Sequence, residues 1–288
     1  MDVLLPRTLE EALEMKAERP EAVPIAGGTD VMVELNFGRQ RPEALMDICR
    51  LPELARWRRE DSVFFLGAGV TFTRILRELS QFRPLAQAAR SVGSPQIRNR
   101  GTVGGNLGTA SPAGDALPVL AAYDAEILLG RAGGQTRALP WDQFLVGPKQ
   151  TALQPAELIL GARWRISRGP GSFSKVGPRN AMVIAVVSLC LVVDEERRQV
   201  RVALGSVGPT VLRAPAAEAY ASGALEDAGV WDDPAAPLPG PVLEEFGQRV
   251  AAAARPIDDV RGTAAYRRHA CAVLARRALG WALQERRG

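Results

Sequence analysis

The stretch Ser94-Pro95-Gln96-Ile97-Arg98-Asn99-Arg100-Gly101-Thr102-Val103-Gly104-Gly105-Asn106-Leu107-Gly108 limits most what this chain can become, because three of its four glycines fall within five residues. A second, shorter turn, Ala26-Gly27-Gly28-Thr29-Asp30, lies upstream. Glycine admits positive φ and lets the backbone come close to a ligand, so successive amide N–H groups can converge on an anion. One such turn is commonly no more than a tight bend. Here there are two, with Thr29 and Thr102 beside the glycines and Asn106, Ser111 and Asp115 following in a segment too polar for a core strand. The pair suggests a diphosphate held from both sides.

Other chemistries lack their residues. Gly67-x-Gly69 begins like a dinucleotide fingerprint, but Phe72 stands where the third glycine belongs, and no Gly-x-x-x-x-Gly-Lys phosphate loop is present. The one histidine, His269, sits among arginines with no companion at metal-ligand or triad spacing. Cys49, Cys190 and Cys271 are far apart and odd in number, against a disulfide framework and against iron–sulfur or zinc ligation by this chain. What survives is a non-Rossmann diphosphate site on an α+β scaffold.

In chain order, Val3 to Leu5 reads as a strand, Thr8-Leu9-Glu10-Glu11 as a capping box opening a helix to about Arg19, and Ala22 to Ile25 as a strand feeding the first glycine turn. That β-α-β unit predicts parallel strands with a ligand at the strand's carboxyl end. Val31 to Asn36 opens a helix, Leu45 to Ile48 is a third strand, and an inner boundary falls near residue 58. Val63 to Gly69, Glu126 to Leu129 with the segment after Gly133-Gly134, and Leu158 to Ile166 read as strands, and Pro84 to Val92 and Leu117 to Tyr123 as helices. The interval from Ser94 to Asp115 is a central loop, and Gly169-Pro170-Gly171 a linker. Beyond it come an edge strand Ser172 to Val176, strands Met182 to Val193 and Gln199 to Leu204, and helices Ala214 to Ala221, Leu243 to Ala254 and Thr263 to Arg286.

With 288 residues, 47% of them hydrophobic and 24% charged, the chain can bury two domain cores. The longest apolar run, Ala181 to Val193, falls short of the roughly 20 residues a membrane span needs and reads as a buried strand. No basic, apolar leader is visible at Met1, so a cytoplasmic location is expected. The net charge of +4 conceals a basic C-terminal helix whose arginines are not interleaved with aromatic residues, which speaks against nucleic acid.

The turn Ala26 to Asp30, the run Ile97 to Leu107 and the following Ala110-Ser111-Pro112-Ala113-Gly114-Asp115 resemble the FAD-binding medium subunit of the molybdenum hydroxylases, the xanthine dehydrogenase, carbon monoxide dehydrogenase and aldehyde oxidoreductase type. Phe173-x-Lys175-x-x-x-Arg179 and Asp259 to Arg268 also look like family segments, so the likeness covers nearly the whole chain. It implies an α+β, two-subdomain, non-Rossmann FAD-binding fold of the vanillyl-alcohol-oxidase (PCMH) type over residues 1–168, with subdomains of about 1–58 and 59–168. A small α+β C-terminal domain with a three-stranded antiparallel sheet follows over 172–288.

Residue by residue, the resemblance makes Ala26, Gly27, Gly28, Thr29 and Asp30 one diphosphate clamp and Thr102, Val103, Gly104 and Gly105 the other, with Asn106, Ser111 and Asp115 on polar parts of FAD. Asp115 reads equally as a helix N-cap and Ser111 as a turn residue. Lys175 matches a family lysine close to the isoalloxazine ring, where its charge stabilises reduced flavin; the local pattern alone reads as an exposed lysine on an edge strand. Asp259 and Arg261 read as a local salt bridge. A solitary, remote histidine favours noncovalent FAD. The resemblance further implies a small partner subunit with two [2Fe–2S] clusters and a large molybdenum-cofactor subunit, in a heterotrimer, single or doubled. The alternatives are a self-contained FAD-dependent reductase of the same fold, which needs its own proton donor, and a flavin-free assembly protein.

Overall fold

The computed structural model describes residues 1–39 and 41–288. The chain opens with β1 (Asp2–Leu4), α1 (Leu9–Glu18), β2 (Val23–Ile25), α2 (Val31–Asn36) and β3 (Ala44–Asp47). The Thr8 hydroxyl accepts the Glu11 N–H at 3.1 Å, as a capping residue should. All three strands run parallel, in the order β1-β3-β2. β3 takes the middle, and its Ala44, Leu45 and Met46 are all buried, whereas no residue of β1 or β2 is. Ala12, Leu13, Met46, Leu51 and Leu54 close a small core beneath it.

The second layer runs through β4 (Trp57–Glu60), β5 (Val63–Gly67), α3 (Phe72–Glu78), α4 (Arg83–Ser91), α5 (Pro95–Arg100), α6 (Val103–Thr109), α7 (Ala116–Ala122), β6 (Glu126–Gly130), β7 (Thr136–Pro140), α8 (Trp141–Phe144), β8 (Leu145–Gly147), β9 (Gln150–Thr151) and β10 (Leu158–Arg165). Five of the strands make an antiparallel sheet in the order β4-β5-β10-β6-β7. The expected central loop is largely helical, since it holds α5 and α6. Each is started by a side-chain cap: the Ser94 hydroxyl accepts the Ile97 N–H at 3.4 Å, and the Thr102 hydroxyl accepts the Gly105 N–H at 3.0 Å. Glycine-rich sequence disfavours a helix by propensity, and here capping and close packing override it.

The third layer comprises β11 (Gly171–Val176), β12 (Val187–Asp194), β13 (Gln199–Gly205), β14 (Leu212–Arg213), α9 (Pro215–Asp227), α10 (Pro241–Ala253) and α11 (Ala264–Arg286). The three expected antiparallel strands are joined by a fourth, the two-residue β14, which pairs with Ala203 and Leu204. Every residue of β12 is buried. Cys190 and Val192 face the core of the second layer, while Leu189, Leu191 and Val193 face the helices of the third. A strand covered on both faces reads as a continuous apolar run, not an alternating one. That run was expected to be strand from Ala181, yet Met182 takes φ 51° and residues before Val187 stay outside the sheet. Met182 and Ile184 remain 55% and 54% exposed. No helix among the described residues is long and apolar enough to cross a membrane.

Candidate functional site

A cleft of about 740 Å³ lies where all three layers meet. That volume falls in the range of about 300–1,000 Å³ usual for ligand sites. Ala26, Gly27, Gly28, Thr29, Asp30, Thr102, Gly104, Gly105, Asn106, Ser111, Asp115 and Lys175 all line it. Val103 does not: its side chain is fully buried in the core of the second layer.

The two glycine turns touch. A Cβ on Gly27 would lie 1.9 Å from the Arg100 carbonyl oxygen, so only glycine lets the first turn rest against the end of α5. Gly28 supplies the left-handed φ of 74° that turns the chain into α2. The backbone N–H groups of Gly27, Gly28, Thr29 and Asp30 donate to no described residue. The second turn is built differently. Val103 N–H donates to the Val70 carbonyl at 3.1 Å, Gly104 N–H to the Ala68 carbonyl at 2.8 Å, and Gly105 N–H to the Thr102 hydroxyl. A Cβ on Gly104 would lie 2.6 Å from that of Ala68, whereas one on Gly105 would meet only the Thr102 hydroxyl within 4 Å. Gly104 is therefore a packing glycine, and Gly105 keeps the cleft wall bare.

Asn106 Oδ1 accepts the Ala116 N–H at 3.2 Å and so caps α7, which frees Asp115 from that task. The Asp115 carboxylate makes no capping bond; Oδ2 accepts from Lys175 Nζ at 2.6 Å and from the Ser91 hydroxyl at 3.0 Å. Its Oδ1 is buried without a hydrogen-bond partner. Burial pushes the Asp115 carboxyl above its ordinary range, and the Lys175 charge and the Lys175 and Ser91 hydrogen bonds draw it partly back. Lys175 also donates to the Ser91 carbonyl at 3.1 Å, with only 10% of its side chain exposed. It is a held, inward-facing cation, not an exposed edge lysine. The Ser111 hydroxyl accepts the Ala113 N–H at 3.3 Å, a local turn bond made at the cleft wall.

Sequence reasoning named Asp30 but missed its bridging role and the other groups that bridge the cleft, Thr109, Glu34 and Lys149. Asp30 Oδ2 accepts the Thr109 hydroxyl at 3.1 Å, and Glu34 Oε1 accepts from Lys149 Nζ at 2.9 Å. Both bonds tie α2, none of whose residues is buried, to the second layer. Met182, Val183 and Ile184 also line the cleft, and nothing in an apolar run marks the residues that stay outside the strand. Asp259 pairs with Arg261 at 3.2 Å as expected, and with Arg267 at 2.6 Å as well.

Four free amides in one turn, a glycine left open beside a Thr hydroxyl, and a buried cation with an orphaned carboxylate oxygen fit a dinucleotide with an anionic diphosphate and a polar ring. Comparison with known proteins identifies which. Residues 1–163 match the family model described as the FAD binding domain in molybdopterin dehydrogenase, and residues 172–282 match the CO dehydrogenase flavoprotein C-terminal domain. The chain belongs to the FAD-binding subunits of the molybdopterin dehydrogenases. It is 37% identical to the nicotinate dehydrogenase FAD-subunit of Eubacterium barkeri over 195 residues, an alignment spanning 63% of this chain and 64% of that relative. To the caffeine dehydrogenase subunit beta of a Pseudomonas strain it is 33% identical, over 77% of this chain and 78% of the relative. The carbon monoxide dehydrogenase of Hydrogenophaga pseudoflava, in a form lacking the Mo-pyranopterin moiety of its cofactor, superposes with a TM-score of 0.85 at 27% identity, covering 99% of this chain and 98% of that one. The cofactor of this FAD-binding subunit is thus FAD, and the α+β fold with its C-terminal sheet domain is that of the flavoprotein chain of the carbon monoxide dehydrogenase.

Proposed function

We propose that this subunit holds FAD noncovalently in the cleft and passes electrons from the [2Fe–2S] clusters of a small partner subunit to an external acceptor, while a large molybdenum-cofactor subunit hydroxylates the substrate. The observation that carries the reading is the single cleft that joins the free amides of Gly27 to Asp30 with the buried Lys175–Asp115 pair. Bound FAD supplies the exchange between single electrons and electron pairs.

This chain's own groups do the rest. The four amides and the Thr29 and Thr102 hydroxyls would meet the diphosphate, with Gly105 leaving room for it. Lys175, fixed by Asp115 and the Ser91 carbonyl, would set a positive charge against the ring and favour its reduced, anionic form. Leu158 and Ile159 give the cleft an apolar wall. His269 lies exposed on α11 and, like the three cysteines, does not line the cleft, which supports noncovalent binding. Among the described residues no group of three or more His, Cys, Asp or Glu side chains is placed to hold a metal, so we assign the metal centres to partners. Free cysteines suit a reducing, cytoplasmic compartment.

The test is the visible spectrum of the purified chain, followed by acid release and mass identification of the chromophore. FAD in near-equal ratio to protein is expected, and co-expression should bring down iron–sulfur and molybdenum chains whose combined mass distinguishes a single from a doubled heterotrimer. A colourless chain that takes up no added FAD overturns the reading.

A further inference from the structure

A second cleft, of about 620 Å³, opens at the seam between the five-stranded sheet, the start of α4 and the chain around Pro170. None of its lining residues lines the FAD cleft. Its character follows from strand register. Arg59 of β4 pairs with Phe64 of β5, and Phe64 with Trp164 of β10, so the three side chains form one cross-strand row on one face of the sheet. That face is the core face, because Phe64 and Trp164 are 3% and 2% exposed. β4 is the edge strand, so Arg59 stands where the row leaves the core.

The floor is an aromatic cluster: Phe64 and Phe82 have ring centroids 4.4 Å apart, and Tyr123 stacks on Trp164 at 5.3 Å and 18°. The half-buried Trp57 is a side wall, held by the Arg74 guanidinium 4.3 Å from its ring centre. Two groups here have spare hydrogen-bonding capacity. The Trp164 indole N–H is buried with no acceptor, an omission that ordinarily costs about 1–3 kcal/mol. Arg59 pairs with no carboxylate among the described residues and donates only to the Asp61 carbonyl at 3.1 Å, while its neighbours Arg58 and Arg83 pair with Glu60 and Glu285. The Trp164 N–H is sealed beneath the floor, beyond a ligand's reach; the apolar aromatic floor and the guanidinium without a carboxylate at its rim suit a flat ring that carries a negative charge.

We propose that this seam is a second ligand site, selective for a small planar aromatic anion and separate from the FAD cleft. The test is equilibrium dialysis of the full chain against 2-naphthoate, with and without saturating FAD. One saturable site is expected, unchanged by FAD. Arg59→Ala, an exposed replacement that leaves the core intact, should weaken binding about tenfold, the size of one charged hydrogen bond partly screened by water. The neutral 2-naphthamide should bind the unaltered chain about as weakly, and Trp57→Ala should weaken both ligands alike. Three results overturn the proposal: no saturation, displacement of naphthoate by FAD, or an Arg59→Ala chain that binds like the original. In the last case Arg59 only guards the sheet edge against pairing. Because the naphthoate arm is also read without FAD, a failure of the flavin assignment leaves this test intact.

Discussion

The turns at residues 26–30 and 102–105 look alike in sequence and line the same cleft, yet they do different work. In the first, Gly28 bends the chain with φ 74° and the amides of Gly27 to Asp30 stay free. In the second, the amides of Val103, Gly104 and Gly105 are all occupied, by Val70, Ala68 and Thr102, and Gly104 exists because Ala68 fills the space a side chain would need. One turn keeps its donors for a ligand; the other uses them to fasten α6 to the sheet. A pair of glycines thus reports close approach without saying whether the thing approached is a cofactor or the protein itself.

That contrast can be tested in order of expected effect. The largest concerns the cation that lines the cleft with both turns. Lys175→Met leaves the Asp115 carboxylate buried without its partner, and breaking a buried pair costs about 3–5 kcal/mol. Urea melts at neutral pH should show that loss. Asp115 already titrates above its unfolded value, so protonation favours the folded chain, and the variant should recover stability as pH falls from neutral towards its ordinary range near about 4. A loss that does not shrink on acidification would place the damage elsewhere.

Next, Gly104→Val and Gly28→Ala separate the two turns. The first forces side-chain atoms against Ala68 and should cost about 1–3 kcal/mol by overpacking, lowering melting temperature and FAD content together. The second imposes a left-handed residue worth about 1–2 kcal/mol of strain, so its FAD dissociation constant should rise by more than its stability falls. Equal losses of affinity in both variants at equal stability would erase the distinction between the turns.

The smallest effect is at the latch. Lys149→Ala removes the exposed bond to Glu34, whose carboxyl lies below the usual range chiefly because Lys149 donates to it. FAD release measured by stopped flow should quicken by about two- to fivefold, the scale of one surface ion pair, and high salt should reproduce the change in the unaltered chain. A release rate indifferent to both would detach α2 from cofactor retention.

Much of the fold was legible because its causes are local. Thr8 caps α1, Gly93 with φ 42° follows α4 as its C′ residue, and the Glu126 hairpin turns through Gly133 and Gly134. The misreadings share another origin. Residues 94–115 look like loop because propensity penalises glycine helices, and the apolar run from Ala181 looks like uninterrupted strand because composition does not mark where β12 begins. In both places packing overrode local preference.

For the site, sequence alone determined the chemistry on offer: two glycine turns, hydroxyls beside them, one lysine at a strand edge, and a recognisable FAD-subunit pattern. Those are properties of short segments, carried by backbone freedom and side-chain type. Only the tertiary structure decided which groups are available. It occupied the amides of 103–105, buried Val103, turned Asp115 from capping to holding Lys175 from 60 residues away, and set Lys149 against Glu34 across 115. The physical reason is that a hydrogen-bonding group is free for a ligand only when folding has not already given it a partner, and partners distant in the chain are assigned by packing.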